Sequence, residues 1–322
     1  MKTKLVAVTG ANGFVGYNLC IALEKLGYKV IRISRGSIVN SNYDISISSW
    51  NDNINWKKIF NNVDFVIHCA GIAHRSNIKQ NSQIYEISNH ALTKKIFLAA
   101  KKMNVKKFIF LSTIKVNGDL TINNRAFKYN DKPNPSDAYG LSKFNAEKSI
   151  INMSKGTTLR YVIVRPSLIY GNHIKGNLLK LLKIINAGIP LPFAKIKNER
   201  SFLSIDNLID FVLICLNNEK ADNKIFLISD SKPISTSDLI ELIAKGLNKK
   251  IILFYLPLYF IRIMSKIVNQ PLTSNSLICS MKVDVEYTKT ELSWSPKITT
   301  EKGIIDMVEN WVNMQVEKKN GI

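Results

Sequence analysis

The sequence predicts an α/β protein with a doubly wound parallel sheet, on three observations. Short apolar runs alternate with amphipathic segments through the first half of the chain, the spacing that sandwiches parallel strands between helical layers. The glycine-rich stretch Thr9-Gly10-Ala11-Asn12-Gly13-Phe14-Val15-Gly16 joins the first such run, residues 5–8, to a helical pattern over 14–26. The length, 322 residues with 46% hydrophobic content, exceeds the usual size of a single core and leaves room for a second, smaller lobe. The expected division is a Rossmann-type dinucleotide-binding domain over residues 1–170 and a mainly substrate-binding C-terminal α/β lobe over 171–322, some of whose segments return to the first domain.

Taken in order, the turn comes first, and each of its glycines has a mechanical reason. One serves the tight turn, one lets backbone approach a pyrophosphate, and one allows the helix to pack closely on the strand, with the diphosphate at the helix N-terminus. Residues 28–33 read as a second strand and 40–43 as a short third strand ending at Asp44-Ile45. A weakly amphipathic helix around Trp56, Ile59 and Phe60 leads to residues 63–68, a fourth strand whose apolar content implies burial on both faces. A long helical pattern covers 83–103, and 108–111 form a fifth strand. The polar stretch 117–137, with Pro133 and Pro135 near its end, is a loop, and Pro135-Ser136-Asp137 starts a helix through Tyr139, Lys143 and Ala146. Residues 160–165 make the sixth strand. Beyond it, helices are expected over 177–187 (closed by Gly188-Ile189-Pro190), 204–216 and 237–247, with a strand at 224–228.

The balance of 45 basic against 24 acidic residues gives a net charge of +21, which draws a protein towards phosphates and anionic surfaces. The lysines are scattered among Asn and Ile without an aromatic-interleaved patch, so the charge is a background and no nucleic-acid partner is expected. Cys20, Cys69, Cys215 and Cys279 lie far apart, with no Cys-x-x-Cys and no histidines at ligand spacing. That pattern predicts buried, reduced thiols in a cytoplasmic protein and no metal site. The sequence enters its first strand directly after Met1-Lys2-Thr3-Lys4, which leaves no room for a signal peptide. The longest apolar stretch, 251–263, is too short to span a bilayer and contains Pro257 and Arg262. Flanked by Asn248-Lys249-Lys250 and Lys266, it fits either a buried edge of the second lobe or a peripheral face on an anionic bilayer.

The chemistry is concentrated in Ser112-Thr113, at the end of the fifth strand, and Tyr139-Gly140-Leu141-Ser142-Lys143. Tyr139 and Lys143, four residues apart, share one helix face. An ammonium beside a phenol lowers its pKa from about 10 towards neutrality and lets it act as general acid or base on a sugar hydroxyl. Thr113 can hold the same oxygen.

With these residues in place the chain resembles the extended short-chain dehydrogenase/reductases, the NAD-dependent epimerase/dehydratase family that modifies nucleotide sugars. The resemblance runs through Asp44-Ile45, His68-Cys69-Ala70-Gly71, Asn89, Arg165-Pro166, Tyr170-Gly171 and Asn198-Glu199-Arg200-Ser201-Phe202. It ends at Leu292-Ser293-Trp294-Ser295-Pro296, similar to the family's Leu-Gly-Trp-x-Pro with serine for glycine. The resemblance implies Thr113, Tyr139 and Lys143 as the catalytic residues. It assigns the cofactor to Gly10, Gly13, Phe14, Val15, Gly16, Asp44, Ile45 (these two facing the adenine), Ala70, Gly71, Asn89 and Lys143. It assigns the sugar nucleotide to Thr113 and, at the diphosphate, to Asn177 and Arg200. A guanidinium fork matches phosphate oxygens. The family's frequent dimers are compatible with a homodimer.

Departures from the family pattern narrow the expected reaction. Members preferring NAD commonly place an acidic residue at the end of the second strand, whereas this chain has Ser34-Arg35, which suits a 2′-phosphate. The expected cofactor is therefore NADP(H) or NAD(H). The Asp-Glu pair that follows the catalytic Thr in 4,6-dehydratases is replaced by Ile114-Lys115, which argues against dehydration. The Asn that contacts substrate phosphate in well-studied UDP-galactose 4-epimerases aligns with Leu168. The stretches Thr113-Ile114-Lys115-Val116-Asn117-Gly118 and His173-Ile174-Lys175-Gly176-Asn177 look most like the subgroup from surface-polysaccharide (O-antigen, lipopolysaccharide) gene clusters. The resulting expectation is hydride transfer at C4 of a UDP-linked hexose or N-acetylhexosamine, foremost as a 4-keto-sugar reductase. The alternative is a UDP-glucose or UDP-N-acetylglucosamine type 4-epimerase, with a lipid-linked substrate as a variant. A non-catalytic dinucleotide sensor is the distant rival.

Overall fold

Strand burial sets the architecture. In the computed structural model, which describes residues 3–36, 44–50, 54–73, 82–123, 125–174, 176–257, 259–260 and 275–319, every residue of β4 (Phe65–His68) and β5 (Lys107–Leu111) is buried. Strands covered on both faces need helices above and below, and a parallel sheet supplies them through its crossovers. The remaining strands are β1 (Leu5–Thr9), β2 (Lys29–Arg35), β3 (Asp44–Ile47), β6 (Arg160–Pro166), β7 (Leu168–Tyr170), β8 (Phe202–Ser204) and β9 (Lys224–Ile228). Seven of them form one sheet in the order β3-β2-β1-β4-β5-β6-β9, with every neighbouring pair parallel. The strand order reverses between β1 and β4, which opens a crevice beyond their carboxyl ends.

The helices are α1 (Phe14–Lys25), α2 (Trp56–Ile59), α3 (Ser82–Tyr85), α4 (Leu92–Lys102), α5 (Ala138–Ser154), α6 (Gly176–Asn186), α7 (Ile205–Asn217), α8 (Thr236–Gly246), α9 (Asn275–Ile278), α10 (Glu286–Leu292) and α11 (Thr300–Lys319). A π-helical turn, Glu86–Ala91, joins α3 to α4. Strand alternation sorts the core. Val6, Val8 and Ile109 face Leu19 and Leu23 of α1 and Phe211 of α7. Ala7, Phe108 and Phe110 face Phe97 of α4 and Ala146 and Ile150 of α5. Each large side chain buried in this way contributes roughly 1.5–3 kcal/mol. A third cluster, with Tyr170, Leu182, Phe193, Ile243 and Val308, packs α6, α8 and α11 together.

The C-terminal stretch is tied back by polar contacts. Asn207 Oδ1 accepts from the backbone N–H of Lys297 and Ile298 at 2.9 and 3.1 Å, and Trp294 Nε1 donates to Asp210 at 2.9 Å. The strands and helices expected from the sequence recur with small shifts, except at the third strand: it starts at Asp44 and runs to Ile47, while residues 40–43 lie outside the described residues. Arg32 sits opposite Asp44 and Arg35 opposite Ile47 in the register of β2 and β3.

Candidate active site

The β1–α1 turn is built so that only glycine fits at positions 10 and 16. Gly10 has φ +73°, its N–H donates to the Ile33 carbonyl at 2.8 Å, and a Cβ there would lie 2.8 Å from the Ala70 nitrogen. A Cβ on Gly16 would fall on the Gly10 carbonyl, so α1 packs directly on the turn that precedes it. Gly13 differs: its Cβ would meet only the Gly10 oxygen, at 3.1 Å. Gly13 is also the N-cap of α1, with no side-chain cap and no acidic residue in the first turn. The N-terminal amides and the helix dipole thus present positive potential over a bare backbone, which fits a dinucleotide diphosphate. Phe14 and Val15 follow directly and pack against the core cluster on the α1 face.

Beside the turn, Asn12 Nδ2 donates to the Arg35 carbonyl at 2.9 Å, placing the exposed Arg35 side chain at the carboxyl end of β2. Ser34 is fully buried there, and its Oγ has no partner among the described residues. Ile45 lies opposite Ile33, level with the turn, whereas the Asp44 carboxylate stands 4.0 Å from Arg32 Nε, one residue behind it.

A buried ladder connects the turn to the next helix. The Thr93 hydroxyl donates to the Asn89 carbonyl at 2.5 Å, so His68 Nε2–H donates to Thr93 Oγ1 at 2.9 Å and His68 Nδ1 accepts from Thr9 Oγ1 at 2.6 Å. The imidazole is neutral in this arrangement: burial, and then the charge on Lys143, hold it well below the ordinary histidine range. Asn89, on the π-helical turn, accepts from Ile72 N–H at 2.8 Å and donates to the Ile72 carbonyl at 3.1 Å and to Ser142 Oγ at 3.0 Å. A Cβ on Gly71 would lie 2.7 Å from Asn89 Oδ1. Asn89 therefore clamps the backbone beyond Ala70 and Gly71 and links it to α5. The extra residue of a π turn is what points it inward.

Thr113 stands two residues beyond the end of β5 and caps the short 3₁₀ turn Ile114–Val116. It shares a hydrogen bond with the phenol of Tyr139, which stands in the first turn of α5. Asp137 caps that helix, accepting from the Gly140 N–H at 2.6 Å, and a Cβ on Gly140 would lie 2.9 Å from the Lys115 carbonyl, so α5 starts in close contact with the loop after Thr113. Burial pushes the Tyr139 phenol up to about 12, against the lowering by Thr113. Tyr85 packs on Tyr139 with ring centroids 6.1 Å apart. Lys143 is buried, donates to the Leu111 carbonyl at 2.9 Å and sits 4.7 Å over the Phe110 ring. Burial pulls its ammonium down to about 8. In this arrangement, then, burial rather than the lysine sets the phenol's proton affinity, in contrast to the lowering expected from the sequence.

Sequence reasoning did not anticipate the network beneath these residues. Glu147, on α5, is held by Arg165 of β6 through Nε at 3.0 Å and Nη2 at 2.5 Å, and it accepts from the Ser112 hydroxyl. Arg165 Nη1 donates to Asn117 Oδ1 at 3.0 Å. The sequence marks Arg165 only by its place in a family pattern, and its pairing with Glu147 arises where the chain around Ser112, Asn117, α5 and β6 converges.

Across the crevice, Arg200 is largely buried, donates to the Cys279 carbonyl at 3.0 Å and exchanges backbone hydrogen bonds with Ile234. Burial lowers its pKa. Asn177 is exposed in the first turn of α6, and Leu168 is exposed on β7. A cavity of about 520 Å³ lined by Trp56, Lys57, Lys102 and Met103 lies where α4 runs down to the start of β5, at the amino ends of the strands and so at the opposite end of the sheet from the glycine turn. It contains none of the motif residues. Among the described residues no His, Cys, Asp and Glu cluster could hold a metal, and all four cysteines are free.

Comparison with known proteins agrees with the fold. The model of the NAD dependent epimerase/dehydratase family matches residues 6–229. A UDP-glucose 4-epimerase of Vibrio cholerae is 33% identical over 305 residues, 93% of each chain. Among solved structures, a UDP-N-acetylglucosamine 4-epimerase from Methanobrevibacter ruminantium M1 in complex with UDP-N-acetylmuramic acid superposes with a TM-score of 0.81 at 22% identity, covering 98% of this chain and 100% of that one. A UDP-glucuronic acid 4-epimerase from Bacillus cereus in complex with NAD gives 0.79 at 22% identity, covering 97% and 99%.

Proposed function

The chain belongs to the NAD dependent epimerase/dehydratase family, and from that premise we propose that it interconverts the C4 epimers of a UDP-linked hexose or N-acetylhexosamine. The observation that carries this reading is the 33% identity, across 93% of both chains, with an enzyme of that activity. NAD, when bound, supplies the group that takes a hydride from C4 and returns it. The turn from Gly10 to Gly16 would hold the cofactor's diphosphate on the amides of α1, and Ser34, Arg35, Ile45, Ala70 and Gly71 are the further residues that would bind it. Tyr139 Oη removes the proton of the 4-hydroxyl as the C4–H bond breaks and gives it back after the sugar has turned over. Thr113 orients that oxygen. Burial holds the phenol at about 12, so proton removal at neutral pH requires a cation brought close to it in the loaded site, and Lys143, one helical turn along α5, is the group we assign to that role. Arg200 and Asn177 receive the diphosphate of the sugar nucleotide.

A second reading, reduction of a 4-keto sugar by NADPH, is supported by the exposed Arg35 and by the buried Ser34 hydroxyl at the carboxyl end of β2, which has no partner among the described residues. The deciding experiment incubates purified protein with UDP-glucose, UDP-galactose and their N-acetylamino counterparts, without added cofactor, and resolves the products by anion exchange. Appearance of the C4 epimer with no net cofactor turnover is the expected result. Stoichiometric NADPH oxidation with a 4-keto sugar and no epimer would move the reaction to the second reading, and neither outcome would remove both.

A further inference from the structure

The stretch that follows α8 takes no part in the chemistry above. It runs beside residues 191–194 as an extended ribbon: Leu191 N–H donates to the Ile252 carbonyl at 3.0 Å, Phe254 N–H to the Leu191 carbonyl at 3.0 Å, and Ala194 N–H to the Phe254 carbonyl at 3.2 Å. Ile251 and Leu253 pack against the third core cluster, so their neighbours in the alternation face outward. Outward positions at a protein edge are ordinarily polar or charged. Here they are Ile252, 66% exposed, and Phe254, with Tyr255 at 58% beside them and Tyr259 and Phe260 at 69% and 52% just beyond. Ile189, on the turn leading into the partner segment, is exposed as well.

The surroundings are basic. Lys195 Nζ lies 5.0 Å over the Tyr255 ring, and Lys197, Lys249 and Lys250 are exposed on the same two segments. The sequence contains no acidic residue between Glu147 and Glu199, and none between Glu241 and Asp284, the two intervals from which this surface is drawn. Aromatic and aliphatic side chains among lysines, on segments that themselves carry no carboxylate, match the boundary between headgroups and acyl chains of an anionic bilayer, and the exposed Asp238, next to the Ser237 that holds residues 193–196, sets an acidic group at the border. A second copy of this chain would bring like charges together across such a face. Phe254 and Tyr255 beside Lys195 are an aromatic and basic patch that scattered lysines in the sequence did not suggest, and they would also stack a nucleobase, so a single-stranded oligonucleotide is the competing occupant in the test.

We propose that this surface docks the protein on an anionic phospholipid bilayer. No helix among the described residues is long and apolar enough to cross a membrane, so the contact is interfacial. The proposal stands independently of which C4 reaction the enzyme performs.

The test is liposome flotation of the full chain with vesicles of phosphatidylglycerol and phosphatidylcholine, against phosphatidylcholine alone, at low and high salt. Flotation with the anionic vesicles that declines with salt is expected. Ile252→Ser/Phe254→Ser/Tyr255→Ser should weaken it about tenfold or more while turnover of a water-soluble UDP-sugar and the melting temperature stay unchanged. Lys195→Gln/Lys250→Gln should flatten the salt dependence. Lys57→Gln/Lys102→Gln, which removes the same charge from the distant cavity beside α4, should leave flotation intact. Absence of flotation, equal weakening by the two lysine pairs, or binding of a single-stranded oligonucleotide that vesicles do not displace would overturn the proposal.

Discussion

The Glu147 carboxylate and the Arg165 guanidinium form a two-point ion pair in the core, at 3.0 and 2.5 Å, with both side chains almost wholly buried. The pair joins α5, which carries Tyr139 and Lys143, to β6, and through Ser112 it reaches the chain directly after β5, where Thr113 follows. Glu147→Ala leaves the guanidinium buried with Asn117 as its side-chain partner, and a loss of about 3–5 kcal/mol is expected. Urea denaturation measures it, and a loss well below 1 kcal/mol, the scale of an exposed pair, would show that the network does not hold the helix.

Tyr139→Phe removes the proton carrier and keeps the ring packed on Tyr85. Turnover should fall by about 10²–10⁴ while NAD binding, followed by equilibrium dialysis, is retained. A Phe variant of near-normal activity would take the proton-transfer role away from Tyr139.

The pH profile follows from Lys143. Burial sets its ammonium at about 8, so it is charged below that value and neutral above it. A tyrosinate that depends on this charge loses its support as pH rises, and kcat/KM should decline on the alkaline side of about 8. Lys143→Arg stays charged and should lose this alkaline limb, whatever its absolute rate. A wild-type profile flat into the ordinary lysine range would place the controlling proton elsewhere.

The glycines of the turn separate packing from binding. A Cβ on Gly16 falls on backbone, so Gly16→Ala should lower the melting temperature, at a cost of about 1–3 kcal/mol, and weaken NAD binding. Gly13→Ala meets only the Gly10 oxygen at 3.1 Å and should leave stability near wild type while weakening the cofactor. Paired thermal melts and fluorescence titrations would distinguish them. Equal effects of the two substitutions on stability would contradict this division.

Ser293 adopts a left-handed conformation, φ 53° and ψ 33°, at the C-cap of α10. The resembling families place glycine there, and a non-glycine residue in this region is strained by roughly 1–2 kcal/mol. Ser293→Gly should relieve that strain at some entropic cost, for a net gain of up to about 1 kcal/mol. A loss of stability in a denaturation series would show that the serine hydroxyl contributes more than the strain removes.

The sheet was legible in the sequence because its strands are continuous apolar runs: residues 63–68, 108–111, 160–165 and 224–228 coincide closely with β4, β5, β6 and β9. The Thr113, Tyr139 and Lys143 constellation was legible because the helix period fixes Tyr139 relative to Lys143. Other features leave no such trace. Three-residue strands such as β7 and β8 are shorter than any alternation that identifies a strand. In α11 the fully buried apolar stripe narrows to Ile304, Met307 and Val308, so little periodicity marks it. The π turn that aims Asn89 depends on a slip in backbone hydrogen bonding, to which side-chain pattern is blind.

The position of β9 next to β6 has a consequence for how the protein is made. β6 emerges from the ribosome with one edge unpaired until Lys224–Ile228 is synthesised, and the Val162 and Val164 side of the sheet waits for Phe211 and finally Trp294 to cover it. At bacterial or eukaryotic elongation speeds that interval lasts on the order of ten seconds. During it the nascent chain carries an open strand edge and an uncovered apolar face, both of which recruit chaperones and invite aggregation. Translation stalled after residue 166 should therefore yield an insoluble fragment, whereas release beyond residue 294 lets the sheet close and its apolar face be covered.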